Sequence, residues 1–220
     1  MAILLHIDTA LETASVCLSD GPEIISLAKN ENQKDHAAWL HTAIDKLLKG
    51  AGLDIDRLEA IAVSIGPGSY TGLRIGLSSA KGLCYALNVP LISVGTLEMM
   101  AEAVNKIDAD LYCPLIDARR MEVFTAIYDQ SITEIMPPTA MIVDKNSFVD
   151  LVSSNKIVFS GSGNNKLQSV LFHANAVFDS TIATAANLIP LANKFFIEKK
   201  FSDLAYTEPL YIKGFFSPPH

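Results

Sequence analysis

Hydrophobic positions near the start of the chain fall in short runs, and their period changes after about thirty residues. Residues 3–7 are apolar apart from His6 and close on Asp8-Thr9. Residues 15–18 and 24–27 follow, separated by Asp20-Gly21-Pro22, a turn signal, so the pattern predicts a three-stranded meander. Over residues 35–51 the period lengthens. Ala37, Leu40, Ile44, Leu47, Leu48 and Ala51 recur at helical spacing, and Gly50 and Gly52 mark the end. Residues 61–65 predict a buried strand, Gly66-Pro67-Gly68-Ser69 a sharp loop, and residues 70–87 a helix that Asn88-Val89-Pro90 stops. A strand over residues 91–94 then leads to Thr96, the expected cap of a helix reaching residue 105.

The second half begins again with strands, over residues 111–116, 122–128 and 140–143. A helix over 144–152, a strand over 156–159, a Gly161-Ser162-Gly163 turn and a helix over 164–171 come next. A last helix is expected over 183–199, an extended piece over 208–212, and a frayed end at Ser217-Pro218-Pro219-His220. Each half opens with strands and later carries a strand, a glycine turn and a helix. This weak duplication predicts two similar α/β lobes facing one cleft, residues 1–106 and 107–220, with the last helix packing back on the first lobe.

Composition narrows the class. Half of the 220 residues are hydrophobic and the mean hydropathy is +0.28, yet no apolar run approaches the roughly 18 residues of a membrane span. The first residues carry no basic segment and read as a strand, so a cytoplasmic protein without a membrane partner is expected. Cys17, Cys84 and Cys113 lie far apart, which fits buried free thiols in a reducing compartment. Seventeen basic against twenty-four acidic residues give a net charge of −7. Lys199-Lys200 and Arg119-Arg120 are only pairs, whereas an unaided nucleic-acid binder shows a basic stripe. In a nucleic-acid pathway another subunit would supply most of the grip.

The densest local chemistry is Gly66-Pro67-Gly68-Ser69 between a strand and a helix. A helix start offers unpaired N–H groups to an anion. The stretch is neither a Walker A loop nor a complete dinucleotide fingerprint, so a phosphate contact and a capped tight turn both remain open. Asp8 at a strand end, with Asp117 between two strands of the second half, would hold a metal-bound phosphate or serve as a turn cap. With the second turn at Gly161 and Gly163, the candidate nucleotide contacts are Asp8, Gly66, Gly68, Ser69, Gly161 and Gly163, and at most weak ATP or ADP binding is expected. Gly72, Gly76 and Ala80, flanked by Leu73 and Leu77, give the helix over 70–87 a smooth strip for close approach, either to the chain's own sheet or to a partner helix.

No catalytic or metal-holding set emerges. His36 and His41 are five apart and diverge on a helix, while His6, His173 and His220 stand alone. No Gly-x-Ser-x-Gly elbow comes with a base behind it.

The motifs Ile7-Asp8-Thr9-Ala10, Ser64 through Gly76, Ala80-Lys81-Gly82-Leu83, Ile116-Asp117-Ala118-Arg119 and Glu208-Pro209-Leu210-Tyr211-Ile212 occur in the order seen in the TsaB (YeaZ) family, and the chain resembles it over nearly its whole length. The resemblance implies an actin-like ATPase (ASKHA, ribonuclease H-like) fold and kinship with the catalytic subunit TsaD and the M22 glycoprotease group. Laying Val94-Gly95-Thr96-Leu97-Glu98-Met99-Met100 on the TsaD motif puts Thr96 and Met100 where metal-binding histidines stand. Neither side chain replaces imidazole. The resemblance therefore implies a non-catalytic scaffold or activator in the transfer of a threonylcarbamoyl group to N6 of adenosine 37 in tRNAs reading ANN codons. Its expected partners are a TsaD-like subunit, a TsaE-like ATPase docking on the pair, and a second copy when alone; tRNA is contacted only indirectly. The family pairs through the helices before and after the glycine turn, which makes Leu40, Ile44, Leu47, Gly72, Leu73, Gly76, Leu77 and Ala80 the expected interface. An M22-type peptidase would need a metal pair or an activated nucleophile. An autonomous actin-like ATPase or kinase would need the cleft to hold nucleotide and turn it over.

Overall fold

In the computed structural model, which describes residues 2–32 and 35–213, the first three strands are β1 (Ile3–Asp8), β2 (Ala14–Asp20) and β3 (Glu23–Asn30). They form the antiparallel meander. β4 (Ala60–Ser64) joins β1 in parallel and β5 (Leu91–Val94) joins β4, giving the order β3-β2-β1-β4-β5. Two helices, α1 (His36–Gly50) and α2 (Tyr70–Leu87), cover one face of this sheet. Leu5, Ile7, Val16, Ile61 and Val63 meet Leu40, Ile44, Leu77 and Ala80 there. Both faces of the central strands are buried, which is why these strands read as continuous apolar runs.

The second sheet repeats the first. β6 (Leu111–Asp117), β7 (Glu122–Asp129) and β8 (Glu134–Ile142) form another antiparallel meander. β9 (Ile157–Ser160) and β10 (Ala176–Asp179) add in parallel, so the order β10-β9-β6-β7-β8 mirrors the first sheet strand for strand. Its outer face carries α4 (Val149–Ser154) and α5 (Asn164–Gln168), whose Val152 and Leu167 pack on Cys113, Leu115 and Phe159.

Between the sheets lies a shared core. α3 (Thr96–Val104) places Leu97, Met99, Met100 and Ala101 against Leu4, Ala62 and Val94 on one side and Tyr112, Ala126 and Val158 on the other. The 3-10 turn Ala185–Leu188 and α6 (Ile189–Ile197) lie against the first sheet, with Leu188 and Ala192 in that core and the Ala185 N–H donating to Ser15 Oγ at 2.8 Å. No helix among the described residues is long and apolar enough to cross a membrane.

Several expectations are corrected. β8 starts at Glu134, well before residue 140, because an edge strand tolerates Pro137 and Pro138. The helix expected over 144–152 gives way to a turn in which the Asp144 carboxylate accepts from the Asn146 N–H, and only the six-residue α4 follows. The helix over 164–171 ends at Gln168, and that over 183–199 splits where Pro190 enters at the first turn of α6. β10 is a strand the hydrophobic pattern does not predict. Gly95, not Thr96, occupies the cap of α3. The expected fray at 217–220 lies outside the described residues, as does His220.

Candidate functional site

The two sheets present their strand ends to a cleft containing two cavities of about 400 Å³ each. One is bordered by the β1–β2 turn, Met100, the Gly161 turn and the ends of β9 and β10. The other is bordered by Gly68, Ser69 and residues 116–119. They meet at Leu11, Glu12 and Ser162.

The glycine turn before α2 is built into the chain's own backbone. A side chain on Gly66 would strike the carbonyl of Leu210, and one on Gly68 the carbonyl of Ala10. Gly66 donates its N–H to Thr96 Oγ1 at 3.0 Å, and Leu210 donates to the Ile65 carbonyl at 2.7 Å, so the C-terminal segment lies over the turn. Ser69 caps α2 by accepting from the Gly72 N–H at 3.2 Å. Its own N–H donates to Ala10. Gly161, at φ +99°, is pressed on the Leu115 carbonyl in the same manner, whereas Gly163 lies against the side chains of Leu115 and Val123.

Asp8 is fully buried. Its Oδ1 accepts from the Ser64 hydroxyl and from the Ala10 N–H at 3.0 Å, while Oδ2 has no partner among the described residues. Burial outweighs those bonds and pushes its pKa up to about 6. Asp117 sits below the usual carboxylate range because Lys166 reaches it at 2.8 Å and the Arg119 N–H donates to it at 2.7 Å. Of the six candidate nucleotide contacts, Gly68, Ser69 and Gly161 border the cavities. Asp8, Gly66 and Gly163 do not.

The expected interface is corrected more sharply. Gly72, Leu73, Gly76, Leu77 and Ala80 are buried, as are Leu40 and Ile44 on α1; Leu47 is half-buried. A side chain on Gly72 would meet the Thr9 carbonyl, and one on Gly76 the Thr9 hydroxyl. The smooth strip serves close approach to the chain's own β1. The outward face of α2 is instead Thr71, Arg74, Ser78, Gly82 and Tyr85, the last 82% exposed. On the neighbouring α1, His41 Nε2 and Ser79 Oγ share a hydrogen bond of 3.1 Å across the two helices.

Sequence reasoning missed Ser160 and Asn164, both at the first cavity. Ser160 ends β9 one residue beyond the strand expected over 156–159, and in the sequence Asn164 shows only the signal of a helix start.

Among the described residues no three His, Cys, Asp or Glu side chains are grouped to hold a metal ion. Thr96 uses its hydroxyl on Gly66, and Met100 is buried against Gly161. These residues do not fit a metal centre.

The family model described as "TsaD: tRNA N6-adenosine threonylcarbamoyltransferase" matches residues 27–207. A Bacillus subtilis (strain 168) protein named tRNA threonylcarbamoyladenosine biosynthesis protein TsaB is 35% identical over 125 residues, 57% of this chain. The aligned stretch spans 54%, about half, of that relative's own length. The Escherichia coli (strain K12) protein of the same name is 28% identical over 220 residues, 96% of this chain and 94% of its own. The chain belongs to the TsaB/YeaZ family. YeaZ from Pseudomonas aeruginosa has the same fold at a TM-score of 0.82 and 25% identity, covering 96% of this chain and 100% of that one. For fold alone, an activator of the 2-hydroxyisocaproyl-CoA dehydratase from Clostridium difficile, with bound ADPNP, aligns at a TM-score of 0.54 and 9% identity over 90% of this chain and 96% of its own. Two mixed sheets flanked by helices make this TsaB/YeaZ chain an actin-like two-lobed α/β protein.

Proposed function

We propose that the chain is a non-catalytic subunit in the making of threonylcarbamoyladenosine in tRNA, pairing with a TsaD-like catalytic partner. The observation that carries this reading is the head of α3. There Thr96 and Met100 stand where the resemblance to TsaD calls for histidines, and both are already occupied within the core. The names of the TsaB relatives support the pathway, and the TsaD family model supports kinship with the partner. The partner holds the reacting centre, and this chain supplies a surface that orders it.

That surface is the outer side of α1 and α2, centred on half-buried Leu47 and exposed Ser78, Gly82 and Tyr85. In isolation the same faces pair two copies of the chain. A TsaE-like ATPase docks on the heteromeric pair. With a net charge of −7, the chain leaves tRNA contact to its partners and works in the cytoplasm. Depletion of the protein followed by nucleoside analysis of bulk tRNA tests the proposal. Loss of threonylcarbamoyladenosine is expected, and an unchanged level removes the reading.

A further inference from the structure

We infer, resting on the reading of this chain as a subunit, that the turn between β6 and β7 is a second docking point, separate from the α1–α2 face. It takes a protein segment that carries two carboxylates beside an aliphatic side chain. Arg119 and Arg120 form the turn, and both lie in the left-handed region, at φ +70° and +48°. Asn-Gly is the pair that hairpin turns of this kind favour, because a full side chain is strained in that conformation. No contact within the chain explains the two arginines. Both are exposed, and among the described residues neither guanidinium has a hydrogen-bond or ion-pair partner.

The carboxylates nearest in sequence are already engaged. Asp117 is held by Lys166 at 2.8 Å and Glu122 by Lys213 at 2.5 Å. Two positive charges are thereby left without a counter-charge, in a chain whose net charge is −7. The backbone beneath them is fixed. Asp117 accepts from the Arg119 N–H at 2.7 Å, Ala118 donates to the Glu122 carbonyl and Glu122 to the Arg119 carbonyl, each at 3.0 Å. Lys166 adds a bond to the same Glu122 carbonyl at 2.9 Å. A turn held in this way sets where both side chains leave the chain, which lowers the ordering cost of binding.

Exposed apolar side chains lie at the same end of the sheet. Met121 is 37% exposed and Ile142 72%. Ile142 stands opposite Glu122 in the β7–β8 ladder, and the Val143 N–H donates to the Met121 carbonyl at 2.8 Å. Arginine and methionine are enriched where proteins meet. A guanidinium grips a carboxylate through two parallel N–H···O bonds. A nucleic-acid strand instead calls for a row of basic groups, and this pair is bordered by Asp117, Glu122 and an aliphatic side chain. Protein is the better match. In the proposed assembly the α1–α2 face is taken by the catalytic partner, which leaves this turn for the docking ATPase.

The test is calorimetric titration of the TsaE-like ATPase into the purified pair of this chain with its TsaD-like partner. The double variant Arg119→Asn with Arg120→Gly relieves the turn, so its melting temperature is expected at or above that of the parent protein. It is expected to form the pair as before and to bind the ATPase about tenfold more weakly or worse. Ile142→Asp weakens the same step several-fold. Raising salt from about 0.05 to 0.5 M weakens the parent more than the double variant, since screening acts on the charges it lacks. Unchanged ATPase binding by the double variant overturns the inference, as does loss of the pair itself. Loss of tRNA retention by the assembly with ATPase binding intact assigns the turn to RNA and also overturns it. A parent chain that forms no pair removes the subunit reading and this inference together, whereas a pair that binds ATPase equally with or without the arginines removes the inference alone.

Discussion

Thr9 donates its hydroxyl to the carbonyl of Gly72 at 2.6 Å, tying the end of β1 to the first turn of α2 across sixty-three positions of sequence. The bond requires the helix to lie closer to the sheet than a side chain at 72 would permit. A Cβ there would collide with the Thr9 carbonyl, a backbone atom that cannot swing aside. Gly72→Ala is therefore expected to cost about 3 kcal/mol or to prevent folding. Gly82→Ala, where a Cβ would meet nothing within 4 Å, is expected to stabilise by roughly 0.5–1 kcal/mol. Urea denaturation of the two variants measures both signs.

Two buried groups on β1 make opposite contributions to acid stability. Burial lowers the His6 pKa from 6.5 to about 3, so its contribution is present above pH 6.5 and is lost as pH falls towards 3. Burial raises that of Asp8 from 3.8 to about 6, so its contribution is present below pH 3.8 and is lost as pH rises through 6. Between about pH 4 and 6 the two slopes cancel. Asp8→Asn removes one of them. Relative to the parent protein, the variant is expected to lose stability on acidification across that window at about 1.4 kcal/mol per pH unit. Denaturation midpoints at half-unit pH steps give the difference curve, and parallel curves would contradict the assignment.

Tyr85 is 82% exposed on the outward side of α2, so replacing it disturbs no core contact. Tyr85→Asp is expected to leave the melting temperature within a few degrees while weakening pairing with a TsaD-like subunit by at least about tenfold, because a charge is buried where an aromatic ring had been. Co-purification and light scattering read both quantities. Intact pairing would move the interface elsewhere.

Burial pushes the thiols of Cys17, Cys84 and Cys113 up to about 12. The native protein is expected to resist alkylation at all three and to react only as fast as it unfolds, since the thiolate is the nucleophile. Mass spectrometry after N-ethylmaleimide treatment, with and without denaturant, counts the modified sites.

Much of the architecture was legible in the residues. The apolar runs at 3–7, 61–65 and 91–94 became strands of one sheet because they are buried on both faces, and the single polar residue in each (His6, Ser64, Ser93) does not break the apolar pattern. β10 was not legible: its four residues are each only half-buried, so its hydrophobic pattern is weak and its partner β9 defines it. The edge strand β8 was obscured by its two prolines.

The candidate site divided along the same line. Sequence alone located the glycine turns, the strand-end aspartates and the apolar periods, because those are properties of local backbone and composition. Which way each feature faces was decided only by the folded chain. Gly72 and Gly76 have the spacing of a partner contact and the burial of a sheet contact, and nothing local distinguishes the two. Asp8 is an ordinary carboxylate until β4 and the β1–β2 turn remove its water, and Ser160 and Asn164 border a cavity only once β9, β10 and α3 converge. Orientation and desolvation arise between segments distant in sequence, and there the amino-acid pattern is silent.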